Sequence, residues 1–144
     1  MTREPIYQAL FALLSGAASF ATASRRLRPW SAVEAAEQPA LFQVQKRETA
    51  KAAEGSPTQW RAEIDVYLYC QAPDDETAPA TVLNPLLDAL EAALLPAGAD
   101  LARGTQTLGG LVKHCWIVGA IETDEGALGG QAVAIVPIEI LATP

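Results

Sequence analysis

The chain's only histidine, His114, stands next to Cys115, and the second of its two cysteines is Cys70. A thiol beside an imidazole is the raw material of a nucleophilic pair, and cysteine with histidine is the raw material of a zinc site. The setting argues against both. His114 and Cys115 fall in an apolar run that reads as a strand, where neighbouring side chains point to opposite faces. Structural zinc takes about four ligands at recognisable spacings, and Cys70, His114 and Cys115 do not supply them. The residues read instead as a hydrogen-bonded structural histidine and two reduced thiols in the core, where they can face each other without forming a disulfide framework.

Two further groups invite chemistry. Gly104, Gly109 and Gly110 precede Leu111-Val112-Lys113, but no GxxxxGK[ST] pattern is present and no helix follows, so a phosphate cradle lacks its context. Asp74, Asp75 and Glu76, and separately Asp124 and Glu125, form acidic knots without the alternating oxygen ligands and turn glycine of a calcium loop. They read as solvated loop acids. No catalytic, cofactor-binding or metal-binding residue is assigned.

The elements that would carry these residues are clearer than the residues themselves. Gln59 to Gln71 alternates throughout: Trp60, Ala62, Ile64, Val66, Leu68 and Cys70 point one way, and Arg61, Glu63, Asp65, Tyr67, Tyr69 and Gln71 the other. A period of two with one apolar face predicts a central antiparallel strand. Before it, Ile6, Leu10, Leu13, Leu14 and Ala17 predict a helix from about Glu4 to Thr22, capped by Thr2, rather than a secretory signal. Arg25, Arg26 and Arg28 would then sit at its C-terminal end, where they complement its dipole or, in the sharper reading, meet a phosphate or an acidic neighbouring subunit. After the central strand, Leu83, Leu86, Leu87, Leu90 and Leu94 predict a second helix, starting near Ala80 or at Asn84-Pro85 and stopping at Pro96.

Pro39 to Gln45 is the strand expected before the central one, with 46–58 as a long polar hairpin loop. Two more strands are expected at Leu111 to Glu122, apolar on both faces and therefore central, and at Ala132 to Leu141, where Pro137 asks for an edge or a bulge. Flexible loops are expected near 97–110 and 123–131. The order α-β-β-α-β-β gives an α+β fold, an antiparallel sheet of about four strands with two helices packed on one face, as a single domain over 1–144.

Composition narrows function. Half the residues are hydrophobic and 19% charged, which suits a folded globule. Ten Lys and Arg against 17 Asp and Glu leave a net charge of -7, which disfavours a general nucleic-acid binder. No segment has the length of a membrane span. What the chain offers is surface: Tyr67 and Tyr69 on the polar face of the central strand, Trp30 and Trp60 beside strands, and glycine-bearing loops, the materials of subunit interfaces.

REPIYQALFALL (Arg3 to Leu14), RPW (Arg28 to Trp30), QPALF (Gln38 to Phe42), NPLLDALEAAL (Asn84 to Leu94) and the run from Gln106 to Leu141 resemble, in that order, tail terminator or tail completion proteins of long-tailed bacteriophages. The resemblance spans nearly the whole chain and rests on structural patterns, with no catalytic signature among them. It implies a non-enzymatic α+β subunit that forms a hexameric ring at the head-proximal end of the tail, assembled in the host cytoplasm, with no cofactor. Its implied partners are copies of itself, the tail tube protein and a head-tail connector or neck protein, with genomic DNA passing through the lumen unbound and no membrane contact. The segments 46–58 and 97–110 are then the expected contacts between rings. The alternatives are a head-side neck or head completion protein, and a small α+β ligand-binding module or enzyme using His114 and the loop acids.

Overall fold

A computed structural model describes residues 1–127 and 129–144. The first helix, α1, runs Arg3–Ser15 and buries Ile6, Tyr7, Leu10 and Leu14, spaced to fall on one side. Thr2 precedes it in an extended conformation but makes no side-chain cap; acidic Glu4 in the first turn is what complements the exposed amides. The helix stops at Gly16, well short of the expected Thr22: glycine is a poor helix former, and there the ladder tightens, with the Gly16 N–H donating to Ala12 O and the Ala17 N–H to Leu14 O. The freed chain instead contributes a short strand, β1 (Thr22–Ser24), parallel to the start of β2 (Ala40–Ala53).

β2 pairs antiparallel with β3 (Ser56–Gln71) along almost its whole length. The expected loop at 46–58 is therefore a correction: it is a β-ribbon that turns at Glu54-Gly55, where Gly55 takes the left-handed φ of 75°. The ribbon's polarity resembled a loop because its tip is wet on both faces, and it is the register with β3 that makes it strand. A bulge lies between Gln45 and Arg47.

α2 (Ala80–Ala93) follows, with Pro85 inside it and not at its start. Pro85 and the Thr81 whose carbonyl it cannot bond are both exposed, so water satisfies the lost partner. The expected central strand at Leu111 to Glu122 is also corrected. It divides into β4 (His114–Ile117) and β5 (Glu122–Glu125), both lying outside β6 (Gln131–Ala142) on the same lane. Its doubly apolar character reflects packing of a sheet margin against α2, and β6 is the strand with neighbours on both sides. Pro137 sits where the outer lane is interrupted: Val118 N–H donates to Pro137 O at 3.1 Å, and the missing Pro N–H faces the gap between β4 and β5. Of the expected 123–131 loop, 123–125 belong to β5, and Leu128 lies outside the described residues.

Among the described residues the sheet is thus six-stranded and mixed, ordered β1-β2-β3-β6-β4 with β5 beside β6, and the fold is α+β with both helices on one face. Ala62, Ile64, Val66, Leu68 and Cys70 of β3 and Ala132, Ala134, Val136, Ile138 and Ile140 of β6 meet Leu10, Leu14, Leu83 and Leu90 in the main core. Each large aliphatic side chain hidden there stabilises the fold by about 1.5–3 kcal/mol. The other face has a smaller core of Val33, Ala40, Phe42 and Tyr69, roofed by the irregular segment that holds two short turns of helix, Trp30–Ala32 and Ala35–Glu37.

Candidate assembly surface

His114 and Trp116, two residues apart on β4, stack with ring centroids 4.1 Å apart, and His114 Nδ1 accepts the Gln106 N–H at 3.0 Å. The imidazole is a strut that ties the 97–110 segment to the sheet margin. Cys70 and Cys115 are buried and free, and their partners on β6, Ala132 and Ile140, lie eight positions apart. At a rise of about 3.4 Å per residue the two thiols are roughly 27 Å apart along the strand and cannot be bridged. Burial pushes the Cys115 thiol up to about 12 and raises Cys70 as well, which keeps both protonated and poor nucleophiles.

The acids and glycines have local employment. Asp74 Oδ1 accepts from the hydroxyl and backbone N–H of Thr77 and from Glu76 N–H, and these bonds hold its carboxyl below the usual range. Asp100 receives both the N–H and the hydroxyl of Thr107, while Gln106 donates to Leu95 O and accepts from Leu108 N–H. Gly110 donates its N–H to Thr107, so that amide is committed within the loop and not aimed at an anion. The 97–110 segment is a cross-braced loop over buried Gln106 and Thr107. No group of three or more potential metal ligands occurs among the described residues.

The aromatics divide. Tyr69 is a buried strut whose hydroxyl donates to Arg28 O at 2.8 Å and whose ring lies 5.5 Å from Phe42, so it is not an interface anchor. Trp30 is 44% exposed and does offer surface. Trp60 is half-buried, with the Arg3 guanidinium 4.9 Å over its ring. Arg25, Arg26 and Arg28 do not sit at the end of α1. Arg25 returns to its first turn to meet Glu4 at 2.5 Å, and Arg28 meets Glu37 at 3.1 Å.

Sequence reasoning missed how charge is distributed over this sheet. Residues 1–71 hold eight Lys and Arg against seven Asp and Glu, net +1; residues 72–144 hold two against ten, net -8. The first group builds α1 and β1 to β3, the second α2 and β4 to β6, so the imbalance runs from one margin of the sheet to the other. The cations of the first half are mostly paired: Arg3 with Glu48, Lys46 with Asp65, Arg47 with Glu63 and Arg61 with Glu139, besides the two above. Among the described residues no ion pair reaches α2 or β5, which leaves Asp88, Glu91, Glu122, Asp124 and Glu125 without a cation. Beside these acids, Leu87, Leu95, Trp116, Ile117 and Ile121 line a groove of about 370 Å³ between α2 and β4 that also carries Glu91. A count of charge by half-chain would have found the asymmetry; the groove has no signal in sequence.

No protein-family model matches the sequence, and no curated protein matches it. Among solved structures the chain is similar to a chain from the virion of a native gene transfer agent particle. Identity is 12%, the match covers 96% of this chain and 92% of that one, and the TM-score is 0.52. At that identity the likeness shows a shared fold.

Proposed function

We propose that the chain is a structural virion protein whose copies form a hexameric ring on the head-proximal end of a tail tube. The ring ends tail polymerisation and joins the tail to the head connector. The observation that carries this reading is the fold shared with a virion component over nearly the full length of both chains. The ordered resemblance to tail terminators supports the finer position within the particle.

The work is done by matching surfaces, with no bond made or broken. Heterologous contacts close the ring by rotation, one face of the ring fits the last tube subunits, and the opposite face fits the neck. The surplus of carboxylates suits a bore through which DNA must slide, since fixed negative charge repels phosphate. The ion pairs and cross-braced loop keep the presented surface in one shape, which lowers the ordering cost of each contact.

Electron micrographs of particles assembled without this chain test the reading. The expected result is tails of uncontrolled length that do not join heads. Tails of normal length beside defective heads would assign the chain to the neck instead, and particles of ordinary form would end the structural reading.

A further inference from the structure

The sheet is open at both margins, and the two margins differ in kind. At one, β1 is only three residues long, and just after it the exposed Leu27 (39%) stands in sequence between Arg26 and Arg28, with Arg25 next. Arg26 has no ion-pair partner among the described residues. At the other margin, Leu95 (60% exposed) and Ile121 (40%) flank the α2–β4 groove, among carboxylates that no cation of the same chain neutralises. One margin thus offers an apolar side chain beside one unpaired guanidinium, that of Arg26, with Arg25 and Arg28 already held by Glu4 and Glu37, and the other an apolar slot dressed in carboxylates.

We propose that copies of this chain join head to tail, the β1 margin of one, led by Leu27 and Arg26, seating on the α2–β4 groove of the next. This rests on the assembly reading above and supplies its subunit contact. A two-fold pairing of like margins would set the unneutralised carboxylates of α2 and β5 against their own copies, whereas head-to-tail contact sets them against the unpaired Arg26 and the half of the chain that carries a net charge of +1. A standard contact covers roughly 800 Å² per partner, about a tenth of the 7832 Å² surface of this chain, so one subunit has room for both neighbours. Because the two patches lie at opposite margins of one sheet, contact consumes one patch on each partner and leaves another free, which propagates until the ring closes.

Sedimentation velocity on three samples tests this. One is the unmodified chain; the second carries Arg26→Glu with Leu27→Asp; the third carries Leu95→Asp with Ile121→Asp. All four positions are solvent-exposed, and circular dichroism confirms that each variant is folded. At about 100 µM, where a micromolar contact is saturated, the unmodified chain is expected to form species larger than a dimer and each variant alone to remain monomeric. An equimolar mixture of the two variants is expected to give a dimer and nothing larger, since each keeps one working margin. The milder Arg26→Ala is expected to weaken association by about tenfold. An unmodified chain that stays monomeric, a variant that dimerises alone, or a mixture that yields no dimer would overturn the proposal. Variants that assemble like the unmodified chain would overturn this contact while leaving the virion role standing, because that role is judged separately on particles made without the chain.

Discussion

At the scale of single residues, the side chains that suggested chemistry are engaged in holding the fold. His114 accepts an amide hydrogen bond and stacks on Trp116, so His114→Ala is expected to cost about 1–2 kcal/mol in chemical denaturation. The two cysteines are expected to resist a thiol reagent at mildly alkaline pH until the protein unfolds, because burial keeps Cys115 protonated and both thiols are covered. Glu48 supplies a pH dependence with a definite sign. Burial alone would raise its carboxyl, but hydrogen bonds from Tyr7 and Arg3 outweigh that and hold it below the ordinary range. A depressed folded value means that the stabilisation is present above the unfolded carboxylate value, about 4, and is lost as pH falls through the folded one. Acid melting of Glu48→Gln should accordingly show a shallower fall in Tm below about pH 4 than the parent chain. The structural histidine and the buried reduced thiols were legible in the sequence, and the place of Tyr69 was not: Tyr69 and Tyr67 alternate as polar-face residues should, and only the irregular segment from Trp30 to Gln38, which has no periodicity to read, decides that Tyr69 is covered.

At the scale of elements, legibility followed pattern length. β3 and α2 were readable because one apolar stripe ran their full length, with a period of two in one and leucines at three and four in the other. The β2–β3 tip was not, because a ribbon wetted on both faces has a loop's composition. β4 misled in the opposite direction: its second apolar face meets α2 and the groove at the margin, and does not mark a central lane. The 97–110 loop tests whether cross-bracing sets its rigidity. Asp100→Ala removes the acceptor for both Thr107 donors and is expected to cost about 1–3 kcal/mol, read by thermal melting, with faster amide exchange confined to that loop. In the core, Leu90→Ala is expected to cost about 2–5 kcal/mol, since the fully buried side chain sits where α2 meets the sheet.

For the molecule as a whole, the sequence disclosed the class and helix placement, but not the mixed sheet, because a three-residue strand such as β1 carries no pattern and is defined by its pairing with β2. The charge asymmetry lay in the sequence from the start, and only the strand order β1-β2-β3-β6 turned it into two unlike margins. A net charge of -7 predicts that the chain gives no mobility shift with duplex DNA even at about 50 mM salt, where phosphate contacts are strongest; retention of DNA would contradict the proposed bore.

The place of β6 has a consequence for synthesis. A ribosome releases Gln131–Ala142 after β1 to β5, yet this segment fills an inner lane between β3 and the β4–β5 edge. Until it emerges, the nascent domain has β2 zipped to β3, a bare edge along β3, and nothing for β4 or β5 to pair with. The sheet therefore closes late, by insertion of one strand whose pairings span long stretches of chain, and an unfinished copy carries an edge that would seek the wrong neighbour.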